Sequence, residues 1–472
     1  MEPRSLQELA AACGGELRGG RASVTVRRVT TDSRDARPGD LFVALAGPRF
    51  DGHDFLRAVA AAGVSAAVVA RRRSVEPPPG LPLVVVDDPR RAFGEMAAAY
   101  RREFDIPMVC VAGSNGKTTT KELVAAVLGA ALPTLKSAAS FNNDVGVPAT
   151  LLRLEARHRA AVLEAGTNHP GELAPLIRMI APRVGVLTSI GREHLEHFGT
   201  LEGVAREEGW LAELLPAAED GGVLVLAGSI AQAGTLARRS RARVIRAGLG
   251  EGSDWQAAIR AMDWSGTTFS VRGPDPAWNG EYSTVLPGRH LVVNALLALV
   301  VARELGLDAW VAREGLAAFQ PAPHRLSPLA AAGVQVLDDT YNANTDSVLA
   351  ALQTLADLPC TGRRIAVLGA MAEQGAHAEA AHVEVGEEAA RLDIDMVVAV
   401  GPHATLTAEA AGSGRGQAYD EVGHAAACVV RELQTGDAVL VKASRSGGFE
   451  RVVEAIMRQL ELREAARMPG AI

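Results

Sequence analysis

The stretch PMVCVAGSNGKTTTK, Pro107 to Lys121, joins a short apolar run to a glycine turn and then to a helical pattern. Pro107 to Ala112 has the length and composition of a strand buried on both faces in a parallel sheet. Gly113 and Gly116 break that run, and Lys117 begins a helical periodicity carried by Leu123, Val124, Val127 and Leu128. Strand, turn and helix N-terminus in that order form an anion site, because unpaired backbone N–H groups and the positive end of the helix dipole face the turn. The residue types point to a nucleotide phosphate. Gly113, Ser114, Asn115 and Gly116 would cradle it, Lys117 would reach the β- and γ-phosphates, and Thr118, with Thr119 beside it, would hold Mg²⁺. Val111 stands where the longer phosphate-loop pattern has glycine, so the match is to the short form Gly-x-x-Gly-Lys-Thr. An ordinary strand–turn–helix corner is the alternative.

Lysine usage favours the nucleotide. Lys117, Lys121, Lys136 and Lys442 are the only lysines among 48 basic residues. A chain that otherwise writes arginine keeps lysine where a compact ammonium must thread between phosphates. The 472 residues should form about three domains, taking roughly 150 residues for each. A hydrophobic share of 48% against 22% charged leaves ample core, and a formal charge of −7 argues against nucleic acid as a partner. Cys13, Cys110, Cys360 and Cys428 lie too far apart for a metal or disulfide pattern and read as small buried hydrophobes. MEPRSLQELAAACGG lacks the layout of a signal peptide, and the small-residue run Ala58 to Ala70 is too short to span a bilayer. A cytoplasmic monomer with no membrane partner is expected.

In the first hundred residues, strand-like pieces at Leu41–Leu45, Ala66–Ala70 and Leu83–Val86 alternate with helical patterns at Leu6–Ala12, Phe55–Ala62 and Arg91–Arg101. That is a small α/β domain, with Glu76 to Pro82 (EPPPGLP) as a rigid surface loop. Beside Asp32, Ser33 and Arg34 could bind an anion through hydroxyl and guanidinium groups. Asp51, Gly52 and His53 form a polar turn that a ligand could approach. Taken alone, these residues are better read as two polar turns flanking a strand.

Beyond the phosphate turn, Asn142 and Asn143 in SFNNDVGVPAT could offer amide groups to a ligand or merely close a turn. Glu164 ends the apolar run Ala161 to Gly166, and a carboxylate at the C-terminal end of a parallel strand faces the ligand crevice. There it could complete a Mg²⁺ shell begun by Thr118; a solvated strand end is the alternative. In SIGREHLEHFGT, His194 and His197 have a zinc-like spacing that no cysteine or third histidine supports. The preferred reading puts His194 beside a second Mg²⁺ and His197 on the surface. Leu286 to Ala302 turns and then forms an apolar helix whose one amide, Asn294, is costly unless paired. Neighbouring backbone and a purine are equally good partners for it.

Gln320 to Pro328, with three prolines, separates those helices from a new strand at Val334–Leu337. Further strands at Arg364–Leu368, Met396–Val400 and Ala438–Val441 alternate with alanine-rich helices, as in a second doubly wound sheet. The run DDTYNANTDS places Asp339, Tyr341, Asn342 and Asn344 at a strand end, suited to ribose and an amino-acid-like ligand. Lys442 and Arg445 in KASRS could receive a carboxylate, whereas Asx side chains bonding their own backbone would give the same residues no ligand. The expected domains are 1–104, 105–321 and 322–472.

Taken together, TDSRDARPGDLFVAL, DGHDF, GSNGKTTTKE, NNDVGVPATLL, EAGTN, EHLEHFG, LPGRH with Asn294, DDTYNAN and KASRS resemble the Mur ligases, ATP-dependent amide ligases of bacterial peptidoglycan synthesis. The resemblance implies an α/β chain of three domains: a small N-terminal one for the UDP end of the substrate, a central phosphate-loop ATPase with a mostly parallel sheet, and a C-terminal Rossmann-like one. It implies an acyl phosphate made from ATP and UDP-N-acetylmuramoyl-tripeptide, then attacked by the amine of D-alanyl-D-alanine. A ligase adding the third amino acid would carry an Asp-Asn-Pro-Arg run in its last domain, and none occurs here. By motif, Lys117 contacts the phosphates, Thr118 and Glu164 serve one Mg²⁺ and His194 a second. Asn294, Arg325 and Asp339 lie about the adenine and ribose, and Ser33, Arg34 and the Asp51–His53 turn fall on the UDP side. Because the nucleotide groups straddle the proline-rich boundary, closure of the last domain is expected. Leu291 replaces a frequent asparagine, and Ala370 replaces the aspartate of a Gly-Asp-Met run. Glu208 falls where the family has a carbamoylated lysine that helps hold the second ion. Glu208 is expected to supply that negative charge, with Glu207 the substitute and a surface-helix glutamate the alternative. Its reach is shorter by roughly 4 Å, a gap that a water can bridge.

Overall fold

The computed structural model describes residues 1–73 and 78–467, so Glu76 and Pro77 of the expected proline-rich loop lie outside the described residues. Helix Leu6–Ala12 opens on a capping box in which Ser5 and Glu8 bond each other's backbone N–H groups. Behind it lies a five-stranded sheet in the order Glu16–Arg18, Leu83–Val86, Ala66–Ala70, Asp40–Val43, Arg28–Thr30, parallel except for its first pair. Helix Pro89–Arg101 leads out of this unit and packs on the central one, where the Tyr100 hydroxyl donates to Leu154 O at 2.6 Å.

The central sheet has nine strands. From one edge they run Thr134–Lys136, Ala160–Glu164, Met108–Ala112, Val184–Leu187, Val223–Ala227, Arg243–Gly248, Trp255–Asp263, Gly266–Arg272 and Gly280–Thr284. The first seven are parallel and the last two join antiparallel. Chain order reverses direction at Met108–Ala112. That strand is the topological switch point, and the crevice beyond its carboxyl end is where ligands bind in such sheets. The phosphate turn occupies that place. Helix Lys117–Gly129 follows it and packs against helix Arg289–Glu304, a 16-residue element that is apolar on nearly every side because it is enclosed on nearly every side.

The last unit is a six-stranded sheet in the order Ser327–Ala331, Val334–Asp339, Ala438–Lys442, Arg364–Gly369, Met396–Val400, Gly416–Tyr419, parallel apart from its first pair. Among the described residues no helix is long and apolar enough to cross a membrane. Leu296, on helix Arg289–Glu304, has no exposed surface and belongs to the main hydrophobic core. Leu296→Ala is expected to cost about 2–5 kcal/mol of central-domain stability through the cavity it leaves, read as a lower denaturant midpoint at unchanged slope.

Candidate active site

Both glycines of the phosphate turn are required by its geometry. Gly113 has φ +117°, and a Cβ there would lie 2.6 Å from Thr188 Oγ. Gly116 has φ +84° and caps helix Lys117–Gly129; a Cβ on it would approach the Asn294 amide to 3.0 Å. The turn is sewn to the loop after Val184–Leu187. Thr188 Oγ donates to Asn115 O at 2.6 Å, Asn115 N–H to Ser189 Oγ at 2.7 Å, and Gly191 N–H to Ser114 Oγ at 2.8 Å. The Lys117 ammonium folds over its own turn, donating to Gly113 O at 2.6 Å and Ser114 O at 3.0 Å.

Around that ammonium stand three carboxylates. Glu164, 1% exposed, accepts from Thr118 Oγ at 2.8 Å and from Asn142 Nδ2 at 2.8 Å, so it is not a solvated strand end. Glu193, which sequence reasoning missed, is buried at 3.4 Å from Lys117 Nζ and 3.8 Å from His194 Nε2. Glu208 ends helix Leu201–Glu208, is 1% exposed, and has no hydrogen-bond partner on either oxygen. It is no surface-helix residue. Glu207 points elsewhere and accepts from the Gly171 and Leu173 N–H groups at 3.0 and 2.9 Å, satisfying the start of helix Leu173–Ile180.

The electrostatics follow from this crowding. Burial pushes the Glu193 and Glu208 carboxyls upward, and Lys117 offsets only part of the penalty for each. Burial also works against the Lys117 ammonium, yet Glu193, Glu208 and Glu164 outweigh it and raise Lys117. Burial lowers His194, against the pull of Glu373 on its Nδ1, so the neutral ring is favoured. His290, also unanticipated, is pushed down to about 4 by burial beside the same space.

A cavity of about 810 Å³ runs from this cluster to the C-terminal unit. Its far wall holds Asp339, which accepts from Lys442 Nζ at 2.6 Å and Leu326 N–H at 3.2 Å, and Lys442 also donates to Asn342 O at 2.8 Å. Arg325 lies over the Tyr341 ring at 4.0 Å, with Arg445 farther off at 6.0 Å. Asn294 Nδ2 is buried without a partner, which leaves a donor for a ligand rather than for neighbouring backbone. The asparagines divide. Asn142 serves Glu164, Asn143 Oδ1 closes its own turn through Val145 and Gly146 N–H groups, and Asn344 both caps helix Thr345–Asp357 and donates to Asn115 Oδ1 at 2.9 Å. His197 is exposed and stacks on His169.

Not every expected residue reaches the cavity. Gly113, Glu208 and Arg445 do not line it, and Arg445 is exposed at the surface. Ser33, Arg34, Asp51, Gly52 and His53 are elsewhere, on the N-terminal unit. There Arg34 pairs with Asp32 at 2.6 Å, and His53 is buried, with Nδ1 2.6 Å from Asp51 and Nε2 accepting from Ala70 N–H at 3.0 Å. Phe50, 73% exposed and adjacent to that turn, was not anticipated.

The fold and this cluster define a family. Three family descriptions match in chain order: the Mur ligase family catalytic domain at 25–105, the Mur ligase middle domain at 111–302, and the Mur ligase glutamate ligase domain at 324–445. The chain belongs to the Mur ligase family. It is 38% identical to the UDP-N-acetylmuramoyl-tripeptide–D-alanyl-D-alanine ligase of Escherichia coli K12, over 96% of this chain and 98% of that protein. Its structure is similar to MurF from Acinetobacter baumannii, with TM-score 0.89 and 30% identity over 97% of this chain and 99% of that one. It also resembles MurF ligase from Thermotoga maritima in complex with ADP, with TM-score 0.81 and 27% identity over 93% and 99%.

The buried carboxylates have a measurable consequence. Glu193 and Glu208 bind protons in the folded chain at pH values where the unfolded chain, with its ordinary value of 4.5, has already released them. Stability therefore falls as pH rises above that ordinary range. Thermal melts of the ligand-free protein should show the midpoint dropping from weakly acidic to weakly alkaline pH, and Glu208→Gln should flatten the slope.

Proposed function

We propose that the chain joins D-alanyl-D-alanine to the terminal carboxylate of UDP-N-acetylmuramoyl-tripeptide, consuming ATP and releasing ADP and phosphate. The observation that carries this reading is the contact of Thr118 with Glu164 beneath a lysine-bearing glycine turn, in a cavity shared with the C-terminal unit. The tripeptide carboxylate attacks the γ-phosphorus of ATP, and ADP leaves. The dipeptide amine then attacks the acyl carbon, the tetrahedral adduct loses phosphate, and the amine proton passes to solvent. Two anions must meet in the first step, so the site's cationic groups carry much of the work. Lys117 and the turn from Gly113 to Thr119 hold the phosphates; Asn294, Arg325 and Asp339 hold adenine and ribose. Ser33, Arg34 and residues 51–53 take the UDP end. Asn142, Asn143, Tyr341, Asn342, Asn344, Lys442 and Arg445 orient the peptide substrates. Residues 1–104, 105–321 and 322–472 are the corresponding domains, in a cytoplasmic monomer with no nucleic-acid or membrane partner.

The donor set fits two Mg²⁺ ions. Thr118 and Glu164 would hold one and His194 the other, and bound ions would offset the charge on the phosphoryl group and the attacking carboxylate. The orphaned Glu208 carboxylate supports this, since Lys117 is the one cation that offsets its burial and that of Glu193. Among the described residues no three His, Cys, Asp or Glu side chains converge on one point. Each ion would then take the rest of its shell from phosphate oxygens and water, and zinc has no site of the usual kind. Glu208 would stand in for the carbamate from beside Lys117, its carboxyl ionised once cations occupy the site.

Multiple-turnover ADP release should require both co-substrates together, and Lys117→Ala should lower kcat by at least about 100-fold. Multiple-turnover ADP release with either co-substrate left out would contradict the reading. Activity should also persist in CO₂-depleted buffer, whereas Glu208→Gln at limiting Mg²⁺ should lose most turnover. Near-normal turnover in that variant removes Glu208 from the mechanism.

A further inference from the structure

The loop that carries Glu193 and His194 is gripped from the C-terminal unit. Arg192 holds Asp346 in the first turn of helix Thr345–Asp357: Nε and Nη2 donate to Oδ1 at 2.8 and 2.6 Å, and the Arg192 backbone N–H donates to Oδ2 at 2.6 Å. The same guanidinium reaches Glu384 of helix Ala378–Arg391 at 2.6 and 3.0 Å. Gly191 makes room for the approach, because a Cβ there would lie 2.7 Å from Asp346 Oδ2. One guanidinium forked between two carboxylates is among the stronger ion pairs, yet all three side chains are about a third or more exposed. Solvated pairs of that kind contribute modestly. The clasp can therefore define a docked state and still release it.

Two residues along, the C-terminal unit also touches His194. His194 Nδ1 is hydrogen-bonded to Glu373, whose carbonyl accepts from Glu196 N–H at 3.2 Å. Glu373 has φ +58°, a conformation that a residue other than glycine holds only where its surroundings impose it. Its side chain is 42% exposed, so core packing does not account for its place. With Nδ1 committed to that carboxylate, the imidazole turns Nε2 toward the cavity and Glu193. A carboxylate on one ring nitrogen fixes the tautomer and aim of the other.

We propose that Glu373 is a positioning residue for His194, and that the Arg192 clasp on Asp346 and Glu384 delivers it. The His194 cation site is then complete only while the C-terminal unit is docked. An acyl phosphate formed in this arrangement is made only when water is excluded. The inference rests on His194 being a cation ligand, and the test separates the two.

Mn²⁺ binding to the full chain with saturating ADP, followed by electron paramagnetic resonance, reads the site directly, with small-angle scattering on the same samples. The wild type should bind two ions. Glu373→Gln should keep the wild-type radius of gyration and weaken the second ion by about 10–100-fold. Arg192→Ala should enlarge the radius and weaken that same ion comparably, with no further loss in the double variant. Unchanged second-ion affinity in Glu373→Gln, or additive losses in the double variant, overturns the positioning role. A wild type that binds a single ion overturns the cation reading of His194 itself, and the inference with it.

Discussion

A single ammonium, that of Lys117, faces more buried negative charge than it can neutralise. Its three hydrogen bonds go to Gly113 O, Ser114 O and Glu193, and Glu208 lies beyond them with neither oxygen paired. Unpaired buried carboxylates are among the costlier features a fold can hold. They persist here because the surrounding structure is fixed by other means: the turn is stitched to residues 188–191, and Glu164 is tied between Thr118 and Asn142. Cationic and phosphate-bearing partners relieve that imbalance, so strain in the ligand-free site and affinity for its substrates have one origin.

The architecture serves the same end. Reversal of strand order at Met108–Ala112 opens a crevice at the end of that strand, and the helix that follows aims its N-terminus there. The C-terminal sheet brings a second set of strand ends, with Asp339 and Lys442, to the opposite wall. Two reactants that meet between separate bodies can be aligned and shielded together, which a single sheet edge does not achieve.

Much of this was legible in the residues. The strand, turn and helix from Pro107 to Lys121, the strand ending at Glu164 and the alternating pattern of the C-terminal sheet stand where periodicity places them. Among the strands not anticipated are Trp255–Asp263, Gly266–Arg272 and Gly280–Thr284. They are half-exposed, threonine- and charge-bearing segments at a sheet edge, without the continuous apolar run that marks the buried parallel strands. Glu193 gave no signal because a carboxylate beside a histidine in a charged loop looks solvated until the fold buries it. Glu207 and Glu208 are neighbours in one helix turn, and only packing shows that one satisfies a helix terminus while the other faces Lys117. Arg192 and Asp346 are 154 residues apart and Arg192 and Glu384 are 192 apart, separations at which local pattern carries no information.

The central claim is that the substrate carboxylate is phosphorylated before it is joined. A tripeptide substrate bearing ¹⁸O in its terminal carboxylate tests this most directly, with mass analysis of the phosphate released after one round of ligation. Attack of that carboxylate on the γ-phosphorus followed by loss of phosphate from the tetrahedral adduct transfers one labelled oxygen, so the phosphate should carry a single ¹⁸O. Unlabelled phosphate accompanying the amide product would contradict the account.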